Sequence, residues 1–275
     1  MRISNHHTQT PRPRRAATSG TPAESPQTED GNKKKIEVVS KVLGAACVAS
    51  GAITAGRIVA DVASTPGLAG KVALGAGAVA AAAAGLVAAD FASGVFHWTI
   101  DNYPDQDTPI VGRLAEDFQN HHQASGMDHV SVWENIAPAA GAFVLPLAGL
   151  AAFTPHPILA AAGLTFTGGA VLAQASHRWS HMTSPPTVAR FLQKLHISQS
   201  AENHARHHED PYDENYCIVN GSLNGVLART NFWRKMEHGV FKLTGAEPNS
   251  WKDPKVKALA LGQTTKAELE QGTRS

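Results

Sequence analysis

The chain has 275 residues, a formal net charge of +1 and 14 histidines. This length suits one ordinary domain or one small membrane bundle, and the nearly neutral charge does not indicate a protein that binds nucleic acid. The two cysteines, Cys47 and Cys217, lie in an apolar and a polar stretch respectively. A disulfide framework is therefore not expected.

The first 35 residues have little apolar content and are rich in Pro, Ser, Thr and Arg. Such a composition cannot bury enough surface to fold, which predicts a disordered tail. No acidic residue precedes Glu24, whereas four arginines do, and this pattern also fits an organelle transit segment. Both interpretations of residues 1–35 stay open.

Four apolar stretches follow the tail. A spanning helix needs about 20 mainly apolar residues, and small residues at close spacing favour helix contacts within a membrane. The pattern predicts an all-α integral membrane bundle of about four spanning helices; buried helices of a soluble all-α protein are the alternative. The stretches are Val42–Ala60, Val72–Ala89, Ile136–Phe153 and Pro157–Ser176.

The stretches predict two hairpins. Only residues 154–156 separate the last two stretches, so the chain returns to the side that it left. All but Arg57 and Lys71 of the 24 Lys and Arg then lie on the side of the clustered histidines, as the positive-inside tendency requires. We therefore expect a histidine-rich helical cap on the same face as the N-terminus.

Eight of the histidines fall into four clusters. In the first, Asp90, His97 and Asp101 are spaced for one helix face. In the second, His121 and His122 diverge by ~100° on a helix, so that each could reach a different metal. Either cluster alone is a weak signal.

The other two clusters have spacings that favour chelation. His177 and His181 are separated by one helical turn, and His204, His207 and His208 are predicted to point one way. Three imidazoles so close repel one another when protonated, which favours the neutral form that binds metal. Eight histidines exceed the needs of one zinc ion, and imidazoles with nearby carboxylates suit two iron ions.

The remaining histidines are predicted to bind no metal. His6, His7 and His156 are expected on the solvated surface. His129, His196 and His238 are expected at the surface or behind the ligands.

At these clusters the sequence resembles the Kua-type membrane lipid desaturases, which include the plastid fatty acid desaturase 4 and plasmanylethanolamine desaturase groups. The resemblance runs from about Asp90 to Pro254. It is carried by residues 89–98, 101–103, 108–112, 116–122, 177–181, 204–208, 211–220 and 248–251.

The resemblance implies a di-iron centre in which Asp101 assists the metal site or the catalysis. It implies eight metal ligands: His97, His121, His122, His177, His181, His204, His207 and His208. It also implies a desaturase that consumes O2, takes electrons from an external donor such as ferredoxin or cytochrome b5, and acts on a membrane phospholipid.

The branch of the family sets the substrate that we expect. The Asp101–Tyr103, Pro211–Cys217 and Pro248–Trp251 motifs resemble fatty acid desaturase 4, which implies trans-3 desaturation of palmitoyl-phosphatidylglycerol in a plastid membrane. Phe232–Glu237 and Leu243–Gly245 resemble the plasmanylethanolamine branch, which forms the plasmalogen vinyl ether. The endoplasmic reticulum or a bacterial inner membrane is the alternative location.

Three other functions stay open at this point. A hydroxylase could use the same site, and a histidine-rich metal transporter or a non-catalytic membrane anchor would belong to other classes of protein. A transporter would place its ligands within the spanning segments, whereas the clusters follow the apolar stretches. The predicted organisation is a tail at 1–35, a lipid desaturase domain at 36–255 and a flexible C-terminal tail at 256–275.

Overall fold

The computed structural model describes residues 26–122, 144–209 and 213–272. These residues form helices and connecting turns, with no strand among them, as the predicted all-α class requires. The α-helices are α1 Pro26–Ser64, α2 Leu68–Asn102, α3 Gly112–His121, α4 Leu145–Phe153, α5 Pro157–Ser180, α6 Thr187–Lys194, α7 Ala201–Ala205, α8 Asn224–Arg229, α9 Phe232–Thr244, α10 Pro254–Ala260 and α11 Lys266–Gly272, with a 3₁₀ turn at Asn249–Lys252.

Three helices in the described part of the chain are long and apolar enough to cross a membrane. The candidate spans are Glu37–Ser64, Leu68–Asn102 and Pro157–Ser180. Part of the third predicted stretch, residues 136–143, lies outside the described residues, and its remainder forms the short helix α4. The protein is thus an integral membrane helical bundle.

Helices α2 and α5 form the centre of the bundle, where small residues bring their backbones together. A Cβ at Gly85 would collide with the carbonyl oxygen of Ala162, and a Cβ at Gly169 would lie 2.6 Å from that of Ala89. Without water between helices, such close van der Waals contact stabilises the pair. The predicted role of the small residues is the one observed at this crossing.

The two predicted hairpins are present in the described helices. Residues 65–67 connect α1 to α2, and residues 154–156 connect α4 to α5. Arg57 in α1 donates from Nη2 to the carbonyl oxygen of Thr154 at 2.7 Å, so the C-terminal end of α1 lies beside the second turn. The opposite ends of α2 and α5 carry His97 and His177.

The helical cap follows α5 and differs from expectation at the chain ends. Helix α1 begins at Pro26, so it includes ten residues that the sequence placed in the N-terminal tail; residues 1–25 lie outside the described part. Helix α10 occupies the start of the predicted flexible tail. Its Val256 and Ala260 are buried against Trp251, because these apolar side chains recur on one helix face.

Candidate metal centre

All eight clustered histidines converge at one end of the bundle. Helix α2 supplies His97 and Asp101 from its last turns, and α3 brings His121 and His122 to the same place. His177 and His181 come from the end of α5, and the others from α7 and the turn after it. The helices α2 and α5 continue past the predicted apolar stretches, so His97 and His177 lie in the terminal turns of spanning helices and not beyond them.

The first group contains four imidazoles whose Nε2 atoms face one another. These atoms are 3.2 Å apart in His177 and His181, 2.8 Å apart in His181 and His204, and 3.1 Å apart in His204 and His208. Two nitrogens bound at a right angle to one metal, with bonds of about 2.1 Å, would lie ~3 Å apart. The spacing therefore fits shared coordination of one ion.

The second group surrounds the carboxylate of Asp101. Its Oδ2 atom lies 3.3 Å from Nε2 of His97, 3.5 Å from Nε2 of His122 and 3.3 Å from Nε2 of His207. The Nε2 atoms of His122 and His207 are 3.0 Å apart. Three imidazoles and one carboxylate thus converge on a second position.

His121 lies between the two groups. Its ring stands 4.9 Å from the ring of His177 and 6.0 Å from that of His97, between centroids. The histidine nitrogens of each group, with His121 included in both, lie within 4.8 Å of one another. His121 is therefore close enough to serve either position.

Several buried atoms at the site lack a hydrogen-bond partner within the described part of the chain. They are Nε2 of His97, Nε2 of His121 and both carboxylate oxygens of Asp101. An unpaired buried carboxylate costs considerable free energy, and buried charges usually pair or coordinate metals. These atoms and the nitrogen-rich donor set fit metal ions held among the two groups.

Four of the converging histidines outside the spans are strongly biased toward the neutral form. Burial, followed by repulsion from neighbouring imidazoles, lowers the pKa of His122 to about 3 and that of His208 to about 2. The same causes lower the pKa of His181 to about 4 and hold the pKa of His204 far below its usual range. These four pKa values favour unprotonated rings at neutral pH, the form that binds metal.

Backbone carbonyl groups orient the rings of the second group. His97 Nδ1 lies 3.2 Å from the carbonyl oxygen of Tyr216, and His207 Nδ1 lies 2.9 Å from that of Glu214. A proton on each Nδ1 donates to that carbonyl and leaves Nε2 free as a ligand. His121 Nδ1 contacts the carbonyl oxygen of Phe118 in the same way. The sequence contained no signal for these carbonyl partners.

Asp90 does not join the two groups; it supports the site indirectly by binding a neighbouring loop. The sequence placed Asp90 on the face of His97 and Asp101, but its fully buried carboxylate turns to the loop after Val219. Its Oδ1 accepts from the backbone N–H groups of Asn220 and Gly221 at 3.1 and 3.0 Å. Its Oδ2 accepts from the N–H of Leu223 and the hydroxyl of Ser222, which anchors the loop that follows Tyr216.

A second buried polar network lies beside Asn102 and connects to it through Ser250. Arg234 Nη2 donates to Glu237 Oε1 at 2.5 Å, and Trp251 Nε1 donates to Glu237 Oε2 at 2.9 Å. The indole of Trp251 belongs to the Pro248–Trp251 stretch, which carried part of the resemblance. The Asn102 amide, one residue from Asp101, donates to the Tyr216 hydroxyl at 3.2 Å.

The local geometry departs from expectation at the fourth cluster. His204 and His208 belong to the first group, whereas His207 faces Asp101 in the second. Helix α7 ends at Ala205, so His207 and His208 lie in a turn and are not held to one helix face.

The other histidines that the structure describes take no part in either group. His156 and His196 are exposed, and His238 is half-buried. His6, His7 and His129 lie outside the described residues.

Comparisons with known proteins agree with the family suggested by the motifs. A family profile described as "Lipid desaturase domain" matches residues 86–251. The chain is 38% identical over 177 residues to "Fatty acid desaturase 4-like 1, chloroplastic" of Arabidopsis thaliana, covering 62% of this chain and 59% of that protein. No solved structure matches the chain.

Other relatives are named for a different substrate. The chain is 32% identical to "Plasmanylethanolamine desaturase" of Myxococcus xanthus, covering 60% of each protein. It is 29% identical to "Plasmanylethanolamine desaturase 1" of Mus musculus, covering 61% of this chain and 66% of the relative. The chain thus spans about 60% of the length of the curated relatives that it matches. Because the profile covers more than half of the sequence, including all eight converging histidines, the chain belongs to the lipid desaturase family.

Proposed function

We propose that this protein is an O2-dependent desaturase that holds two iron ions and acts on a chain of a membrane glycerophospholipid. The observation that carries the proposal is the convergence of eight imidazoles and one unpaired carboxylate at the end of spanning helices. No cysteine joins either group, and imidazole with carboxylate is a ligand set that suits iron.

The proposed ligands divide as the two groups do. His177, His181, His204 and His208 would hold one iron, and His97, His122 and His207 with Asp101 would hold the other. His121 is within reach of both positions. Iron with O2 supplies the oxidising power to break an unactivated C–H bond, which no acidic or basic side chain could do.

The chain's own residues prepare the site for this chemistry. The carbonyl groups of Tyr216 and Glu214 fix the tautomers of His97 and His207, and burial holds the pKa of His204 well below its usual range, so that this ring stays neutral. No dinucleotide or flavin fingerprint is present in the sequence, so electrons would come from an external carrier, either ferredoxin or cytochrome b5.

The depth of the site favours carbons near the lipid headgroup. The histidines lie at the ends of α2 and α5, and a bilayer core is ~30 Å thick, so mid-chain carbons lie much deeper. An apolar groove of about 510 Å³ lies between α2, α4 and α5, lined in part by Ala84, Ala88, Leu150 and Phe166. Ala88 precedes His97 by nine residues, or ~13 Å along α2. The groove could hold the methyl-terminal part of a lipid acyl chain while the carbons near the headgroup lie at the proposed metal positions.

We favour trans-3 desaturation of palmitoyl-phosphatidylglycerol, with formation of the plasmalogen vinyl ether as the second candidate. Three plant relatives named for fatty acid desaturase 4 are 36–38% identical to the chain, whereas those named plasmanylethanolamine desaturase are 29–32% identical. The same ordering favours a plastid membrane over the endoplasmic reticulum or a bacterial inner membrane. The converging buried histidines argue against a simple membrane anchor.

Lipid analysis of an expressing host tests the proposal. The unchanged chain and its His207→Ala variant would each be expressed with a ferredoxin or cytochrome b5 system. The matched control is His156→Ala, a histidine on the far side of the bundle. We expect a new double bond at carbon 3 of phosphatidylglycerol palmitate, absent for His207→Ala only. A vinyl ether would select the second candidate. Double bonds at mid-chain positions, or a hydroxylated product, would contradict the proposal.

A further inference from the structure

Helix α6 follows a membrane-spanning helix closely and stands apart from both metal-binding groups. Only residues 181–186 separate the end of α5 at Ser180 from the start of α6 at Thr187. Because α5 is a candidate span, so short a connection keeps α6 near the membrane surface. Pro185 and Pro186 end the preceding segment and let the chain change direction.

The rest of the protein covers only part of the apolar face of α6. Ala189 is fully buried and Leu192 half-buried, so this side packs on the protein. Beside it, the side chains of Val188, Phe191 and Leu195 are 58%, 59% and 50% exposed. Spacings of three and four residues align these three in one strip, which we call the α6 strip. Ile197, 39% exposed, extends the apolar surface just after the helix.

Basic side chains flank the α6 strip on its other side. Arg190 and Lys194 are both exposed and lie one helical turn apart. The Arg190 guanidinium donates to the Thr187 hydroxyl at 3.2 Å. No Asp or Glu occurs from His181 to Ala201, so the flank carries positive charge without a nearby acid in sequence. An apolar strip beside a basic flank is typical of helices that lie in the membrane interface.

We propose that α6 lies in the interface of the bilayer and binds anionic phospholipid. The α6 strip would enter the boundary between acyl chains and headgroups, and Arg190 and Lys194 would contact lipid phosphates. His181 is the first residue of the connection to α6, so the docked helix holds the histidine-bearing end of α5 at headgroup depth. This inference rests on the exposure, charge and connectivity of α6 and is independent of the reaction proposed above.

Spin-label accessibility tests the position of the helix. Nitroxide labels would be placed singly at positions 188, 191, 194 and 195 of the full chain in vesicles of phosphatidylcholine with phosphatidylglycerol, in a background with Cys47 replaced by Ala. We expect labels at 188, 191 and 195 to collide several-fold more with O2 than with a water-soluble nickel complex, and the label at 194 to show the reverse. Water accessibility at all four positions would overturn the proposal. Protection of the strip from both reagents would also overturn it, because protein would then cover the strip.

A charge-neutralised variant tests the recognition of anionic lipid. The label at 191 should lie measurably deeper in vesicles with phosphatidylglycerol than in phosphatidylcholine alone, and Arg190→Gln with Lys194→Gln should abolish this difference. The matched control, Lys252→Gln with Lys255→Gln, changes two exposed lysines elsewhere and should leave the difference intact. Equal depth in both vesicles for the unchanged protein would refute anionic recognition. The helical circular-dichroism signal of each variant verifies that the bundle remains folded.

Discussion

The converging histidines differ in what the Nδ1 atom of each ring contacts. His97 and His207 each hold a backbone carbonyl through Nδ1, which leaves Nε2 directed at Asp101. His204 and His208 instead leave Nδ1 buried without a partner in the described structure and direct Nε2 into the first group. The same residue type therefore has two kinds of support at the two positions.

Replacement of His204 tests the first group. The side chain is fully buried, with Nε2 between those of His181 and His208. We expect His204→Ala to lose at least one of two irons per chain and to reduce product by a factor on the order of 100 or more, since even residues behind metal ligands change activity 10–100-fold. Elemental analysis and lipid mass spectrometry measure both effects. His196→Ala, at an exposed histidine, is the control; unchanged iron in His204→Ala would remove this residue from the site.

Removal of charge from Asp101 tests the second group. Asp101→Asn keeps the shape of the side chain but removes the anion that faces three imidazoles. Iron affinity should fall by about 10–100-fold while the bundle stays folded. Iron titration of the metal-free protein measures the change, and the exposed Asp107→Asn serves as control. Equal iron affinity in Asp101→Asn and the unchanged protein would exclude Asp101 from metal binding.

Helices and loops share the task of holding the site. Helix α2 carries two of the proposed ligands, His97 and Asp101, and, two turns before His97, the Asp90 carboxylate that fixes the loop after Tyr216. Close packing of Gly94 against Cys217 brings that loop onto the helix; a Cβ at this glycine would lie 2.5 Å from Cys217 Sγ. The loop is thus positioned by residues that belong to neither of the two groups.

A graded pair of substitutions tests the role of Asp90. Asp90→Asn replaces one accepting oxygen with an amide that cannot accept from the Leu223 N–H, so we expect a loss of about 2–3 kcal/mol in unfolding free energy. Ser222→Ala removes only the hydroxyl contact at 3.3 Å and should cost about 0.5–1 kcal/mol. Denaturation in detergent measures both. Equal stability of Asp90→Asn and the unchanged protein would contradict the clamp.

The groove between α2, α4 and α5 leads to a prediction about chain binding. Ala88 lines the groove, whereas Ala83 is exposed on α2 outside it. Ala88→Phe should fill part of the groove and reduce product on the order of tenfold, because a displaced chain misplaces the reacting carbon. Iron content should not change. Ala83→Phe is the matched control. Full activity of Ala88→Phe would show that the chain does not use this groove.

At the scale of the whole molecule, sidedness follows from the hairpins. Single cysteines at positions 34, 206 and 156 would be labelled in sealed vesicles with a membrane-impermeant reagent, with Cys47 replaced by Ala; Cys217 is fully buried. We expect 34 and 206 to react from one face and 156 from the other. Reaction of 156 and 206 from the same face would refute the two-hairpin arrangement.

The sequence by itself determined the all-α class, the membrane character and the eight histidines that the structure brings together. These follow from local patterns: uncharged runs of spanning length, small residues at helix crossings, and histidines at spacings of one helical turn. His177 and His181 illustrate this, because one helix alone brings their nitrogens together. The two hairpins also follow from the sequence, because short connections join the helices within each pair.

Only the tertiary structure decided how the eight histidines divide into two groups and what supports them. His207 joins Asp101 and not His204, because α7 ends before it and a backbone carbonyl from a later loop turns its ring. Asp90 shares a predicted helix face with His97, yet its carboxylate does not join the histidines. It accepts four hydrogen bonds from donors in residues 220–223. Contacts between residues more than 100 positions apart leave no periodic trace in the sequence, and backbone carbonyls carry no residue identity at all.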